Sequence, residues 1–213
     1  MAIEFVTSQA PPLRLEELDT VIVGVRVRNR AGDTIPGVPV RLASLTPDTV
    51  AIDIADLGLI GVQPGPGKVV ALAGALSSAP LSVTVVRAPD SLVAVTSSPD
   101  TVPAADSASD SLKAGLLDLR TNPAQPLALG AGYLVSFAIV YPASPSPSAA
   151  SVTLGNDSLT QVALTGTSGT AGVIVLRRGA PLLPDSVVVE ARASRAVGTP
   201  VKGSPVQFVV RFQ

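Results

Sequence analysis

The chain of 213 residues contains neither cysteine nor histidine. That double absence excludes zinc sites of the Cys/His type, thiol nucleophiles and every Ser-His-Asp or Cys-His relay. It also removes a disulfide staple and a lipid anchor on a cysteine of this chain. Tryptophan is missing too, and aromatics amount to four Phe and two Tyr, so any core must be built from Val, Leu, Ile and Ala. Charge is sparse and balanced: 15 basic and 16 acidic side chains leave a net charge of −1. With no basic run and no aromatics interleaved with Arg or Lys, a nucleic-acid partner lacks both its electrostatic term and its stacking platform. Long apolar runs are lacking as well. The best candidate, residues 127–141, is about 15 residues long against the ~20 a spanning helix needs, and Pro126 and Pro142 bracket it. Within it Val135, Phe137 and Ile139 alternate with Ser136 and Ala138, the pattern of a buried strand. Residues 1–6 carry Glu4 and lack a basic start with an apolar core, so no signal peptide is expected in this chain; export implies a processed or omitted leader.

Turn chemistry is what the sequence has in abundance. Twenty prolines and eighteen glycines interrupt nearly every segment and leave little room for long helices. Between them lie short β-branched runs, most clearly at 58–74, where two such runs flank Pro64-Gly65-Pro66-Gly67 and a third follows at 81–86. Strands are predicted at 3–6, 21–28, 38–42, 50–54, 59–63, 68–73 and 81–86, with a turn at Asn29-Arg30-Ala31-Gly32-Asp33. The pattern restarts after Arg87-Ala88-Pro89-Asp90, giving strands at 91–95, 110–120, 132–141, 151–154, 159–165, 172–177, 186–193 and 206–212. The fold class is all-β: two tandem antiparallel β-sandwich domains, 1–88 and 89–213, with no flexible polar linker between them.

A short repeat, Pro-Asp-(Ser/Thr)-(Val/Leu), begins at Pro47, Pro89, Pro99 and Pro184. Proline fixes φ, Asp can close an Asx-turn and the hydroxyl residue leads into a strand, so these read as corners rather than as scattered calcium ligands. Glu16, Glu17 and Asp19 read as a solvated, charged loop rather than as a catalytic carboxylate pair. The Pro/Gly turn at 64–67 has prolines where amides would cradle a phosphate. No catalytic, cofactor-binding or metal-binding residue is assigned. The segment 121–156 carries no charge, and its apolar residues and Pro/Ser loop make it the candidate contact surface for a protein partner. Within it, Tyr133, Tyr141, Pro142, Pro145 and Pro147 are the candidate contact residues; sugar stacking would have to use the two tyrosines.

Residues 20–86 resemble the group-2 bacterial immunoglobulin-like domain of intimin- and invasin-like surface proteins. The resemblance rests on the turn from Asn29 to Gly32, Gly37-Val38, Ala43-Ser44, Pro47-Asp48-Thr49-Val50-Ala51, Gly58 to Val62, Pro64-Gly65, Gly67, Ala71, Gly74 and Val83-Thr84-Val85. Arg41 and Leu42 stand where that family often has Trp. Residues 89–213 look like a longer, divergent domain of the same architecture. The resemblance implies a non-enzymatic extracytoplasmic module of the periplasm or cell surface, with no cofactor and no catalytic set. The expected role is a scaffold or accessory subunit on a larger envelope or membrane assembly, peripheral to the membrane at most. The alternative is an adhesin or spacer binding carbohydrate or protein through its loops.

Overall fold

The computed structural model describes residues 1–7, 11–103, 106–120, 127–143, 150–178 and 185–213. Among them no α-helix forms, and hence none long and apolar enough to cross a membrane. Two compact units divide the chain, Met1–Ala88 and Pro89–Gln213.

The first unit contains β1 (Ala2–Val6), β2 (Leu13–Glu16), β3 (Thr20–Ile22), β4 (Gly24–Arg28), β5 (Arg41–Ser44), β6 (Val50–Asp53), β7 (Gly58–Gly61), β8 (Gly65–Ala73), β9 (Leu76–Ser77) and β10 (Leu81–Val86). One sheet runs β2-β10-β8-β5 with β9 on β8, a second runs β3-β7-β6, and β1 pairs with β4. Period-two alternation places Leu81, Val83 and Val85 in a core shared with Leu15, Val50, Leu59, Val69 and Ala71.

Several features of this unit differ from the sequence reading. Pro64-Gly65-Pro66-Gly67 is not a turn between strands: its last three residues open β8 and pair with Val83, Thr84 and Val85 of β10, and β2 lies outside every predicted strand. The strand predicted at 21–28 is two strands: its first part pairs with β7 and its second with β1, with Val23 buried at the crossing. Residues 38–40 are not a strand; Pro36 and Pro39 cannot donate to a ladder, and regular pairing begins at Arg41. Glu16 and Asp19 are buried rather than solvated. The cause is local. Leu18 takes a positive φ of 69°, its N–H donates to Gly61 O, and Gly61 N–H donates to Asp19 O, so the chain doubles back and tucks the carboxylates under the strand.

The second unit contains β11 (Ser91–Ala94), β12 (Asp100–Val102), β13 (Leu112–Asp118), β14 (Leu127–Ala128), β15 (Leu134–Tyr141), β16 (Val152–Leu154), β17 (Thr160–Leu164), β18 (Thr170–Val173), β19 (Val175–Arg177), β20 (Ser186–Arg192) and β21 (Val206–Phe212). One sheet runs β11-β13-β14 with β18 on β13, a five-stranded sheet runs β12-β21-β20-β15-β17, and β16 pairs with β19. The inward residues Val135, Phe137, Val187, Val189, Phe208 and Val210 are all but sealed from solvent. The run predicted at 172–177 divides at Ile174, its halves pairing with β13 and β16 respectively.

The two units begin alike. In each, a first strand pairs antiparallel in one sheet (β1 with β4, β11 with β13), and the next strand pairs parallel with the unit's last strand (β2 with β10, β12 with β21). This is an all-β sandwich architecture in which the leading segment is shared between sheets.

Candidate interaction surface

Of the candidate contact residues, Tyr141 lies on the outer face of the five-stranded sheet. Leu134 stands directly opposite Leu164, and Ser136 opposite Val162. Along β15, Val135 and Phe137 point into the core while Leu134 and Ser136 are exposed. Strict alternation would turn Tyr141 inward with them. A bulge between Ile139 and Tyr141 inserts Val140 and sets Tyr141 opposite the outward-facing Val188, so the phenol side chain is 55% exposed. Leu134, Val162 and Leu164 are 62%, 63% and 62% exposed. Leu134, Val162 and Leu164 lie together at the edge of this face, while Tyr141 stands at the far end of β15 beside Val188, which is opposite Val209.

The candidate contact residues fall differently. Tyr141 lies on the surface and Pro142 follows it half-buried, whereas Tyr133 is buried, its N–H donating to Thr165 Oγ1 and its carbonyl accepting from Thr165 N–H. Pro145 and Pro147 lie outside the described residues. Sequence reasoning missed Leu134, Val162 and Leu164, although the clean alternation at 160–164 marks one face as apolar without saying which face the core takes.

The same face also carries polar side chains. Arg192 Nη2 donates to Glu190 Oε2 at 2.6 Å, and Gln207 Nε2 donates to Glu190 Oε1 at 3.0 Å. The Arg192 hydrogen bond, reinforced by that of Gln207, holds the Glu190 carboxyl below its ordinary 4.5, against a smaller opposing effect of desolvation. A lowered folded pKa stabilises the fold above the unfolded value, and that contribution disappears as pH falls through the folded one. Glu190→Gln should therefore flatten the loss of stability below about pH 4.5 while leaving the neutral-pH trend unchanged, as read from urea midpoints across a pH series.

A cluster of opposed charges lies elsewhere in this unit. Asp90 accepts from Arg120 Nε at 2.9 Å and Arg195 Nη2 at 2.9 Å, and Asp118, whose side chain is fully buried, accepts from Arg120 Nε at 3.3 Å. Leu119 N–H also donates to Asp90 Oδ2 at 3.2 Å. Both carboxylates are neutralised by guanidinium groups that fix them in place, an arrangement suited to holding the chain rather than to moving a proton. Among the described residues no three acidic side chains converge as a metal site.

In the first unit a cavity of about 300 Å³ opens beside β4, lined by Val6, Val25, Val27, Ile35, Val38 and Val40. It forms because Ile35 N–H donates to Val27 O at 2.9 Å and the following prolines end the pairing there. Its volume is at the lower bound of small-molecule pockets, roughly 300–1,000 Å³.

No protein-family model matches the chain, and no curated protein does. Solved structures similar to it include the Yersinia pseudotuberculosis adhesin InvE, at 18% identity over 95% of this chain with a TM-score of 0.45. The D00-D0 domain of intimin is similar at 17% identity over 99% of both chains, with a TM-score of 0.36. The fibronectin(III)-like modules of Clostridium thermocellum CbhA are similar at 10% identity over 99% of this chain and 94% of theirs, with a TM-score of 0.42. The chain spans 57% of the length of the InvE structure.

Proposed function

We propose that this immunoglobulin-like chain is a non-enzymatic structural and interaction module acting outside the cytoplasm, each compact unit being one domain of a tandem. In this reading it packs, as a scaffold or accessory subunit, on a larger envelope or membrane-associated protein assembly. The observation that carries the proposal is the exposure of Leu134, Val162 and Leu164 at one end of the outer strands, and of Tyr141 at the other end of β15, on a sheet whose other face is already filled by core. A rigid sheet that exposes an aromatic and three aliphatic side chains, with charged and amide side chains on the same face, has the composition of a protein contact. The absence of histidine and cysteine, and the pairing of Asp118 and Asp90 with arginine, support a role without catalysis.

The test is a native pull-down from source membranes with the wild type and with Leu134→Asp and Tyr141→Ala. Stoichiometric partners retained by the wild type and depleted at least ~10-fold by either substitution would support the accessory-subunit reading. Tyr141 favours a second reading, an adhesin, because an exposed phenol ring can stack on a sugar. Binding to a glycan array that Tyr141→Ala alone abolishes, with no protein partner recovered, would select it.

A further inference from the structure

Among the described residues no strand pairs with the outer edge of β17 in the five-stranded sheet. Ile139 N–H donates to Leu159 O, and Thr165 N–H donates to Tyr133 O, so the odd-numbered residues of β17 direct their backbone groups towards β15. By the alternation of an antiparallel ladder, Thr160, Val162 and Leu164 direct theirs outward. Thr160 is capped from within the chain: its N–H donates to Ser158 Oγ at 3.3 Å and its carbonyl accepts from Asn156 Nδ2 at 3.1 Å. Val162 and Leu164 have no such cap among the described residues. Edge strands are ordinarily guarded by a charge, a proline or a covering segment. Residues 158–176 contain no charged side chain and no proline.

We propose that β17 pairs antiparallel with β17 of a second copy of this chain, joining two five-stranded sheets across a two-fold axis at Ala163. This rests on the interaction-module reading above and specifies the occupant of one edge of its surface. In that register Val162 faces Leu164 of the other copy and Leu164 faces its Val162. Both are outward-directed, so each pair exchanges two hydrogen bonds. Thr160 falls beyond this short ladder, in keeping with its internal caps. The exposed side chains of Leu134, Leu164 and Val162 continue across the seam into the same three of the partner, an apolar stripe without a break.

The two uncapped, outward-directed residues of one strand match the two of another copy, and charge does not oppose that pairing. An uncharged strand meets no repulsion from itself, and a molecular net charge of −1 adds little at a distance. The small contact sets the strength. Three apolar side chains and a short ladder per copy fall below the roughly 1,200–2,000 Å² of stable interfaces, so the association is weak, with a dissociation constant on the order of 100 μM.

Sedimentation equilibrium of the intact chain from about 10 μM to about 1 mM reads this directly. The expected result is a reversible dimer that Val162→Lys and Leu164→Lys each weaken at least ~10-fold. Ser136→Lys, on the same face but one strand in from the edge, should leave it intact. Hydrogen exchange on the unsubstituted chain gives a second readout free of folding artefacts. The Val162 and Leu164 amides should gain protection as concentration rises, while Gln161 and Ala163 are protected throughout. A monomer across the whole range overturns the proposal, as does a dimer that both lysine variants leave unchanged or that Ser136→Lys dissolves. The pull-down with Tyr141→Ala, a residue outside the seam, is unaffected by a failure here, so the loss of one reading does not pass for the loss of the other.

Discussion

Asp90→Ala should destabilise the Pro89–Gln213 unit by about 3 kcal/mol, the lower part of the range for breaking a buried ion pair by removing one partner. The lower part applies because the Arg120 and Arg195 side chains are 32% and 30% exposed and keep some water, whereas Asp90 is 13% exposed. The loss has three components. Arg120 loses an acceptor, Arg195 loses an acceptor, and the Leu119 amide loses its cap. Asp90→Asn should retain the Leu119 bond and fall between wild type and alanine. Both tyrosines of the chain belong to this unit and there is no tryptophan, so tyrosine fluorescence during urea unfolding reports on it selectively. An Asp90→Ala midpoint within error of wild type would mean that the network contributes nothing to folding.

Gly169→Ala should cost still more, roughly 4 kcal/mol or beyond. Gly169 has φ 73°, where a side chain costs about 1–2 kcal/mol. A Cβ there would also collide with the Leu129 carbonyl, which cannot swing aside. Leu129 N–H donates to Leu116 O, and Leu116 N–H donates to Gly169 O, so the three backbones are tied together between β13 and the turn that leads from β17 to β18. Gly198→Ala is the control. That residue has φ 86° with nothing within 4 Å of the new Cβ, so its cost should be the backbone component alone. The gap between the two variants measures the collision; equal midpoints would show that the turn moves freely away from Leu129.

How much of this was legible in the sequence depended on how far away the deciding partner lay. β21 and β10 were read with their observed bounds, because alternation such as Val206, Phe208, Val210 is a local property. The sheet switches at Val23 and Ile174 were not legible: alternation of side chains continues through a crossing and says nothing about which strand lies alongside. Tyr141 was singled out as an aromatic, but its outward direction depends on the bulge at Val140, which no turn residue announces. Asp90 was read as a local corner. Its partners are 30 and 105 residues downstream, beyond any local reading. Asp100 behaves similarly, accepting from the Asp110 amide at 3.1 Å rather than closing its own turn. Glu16 and Asp19 misled because charge density suggests solvent, whereas the positive φ at Leu18 folds both inward.

The parallel pairing of β2 with β10 and of β12 with β21 has a mechanical consequence. In each pair one strand lies near the start of its unit and the other closes it. Tension drawn along the polypeptide therefore pulls the two strands in opposite directions along their length. Hydrogen bonds that lie across such a pull are loaded together, in shear, and must break together rather than being unzipped one at a time. The antiparallel β1 and β11 ahead of them can peel away first, leaving the sheared ladders to bear the load. Each unit thus resists extension at its terminal strands, and its rupture force should drop when Leu15 or Val102, the buried residues seated in those ladders, is cut back to alanine.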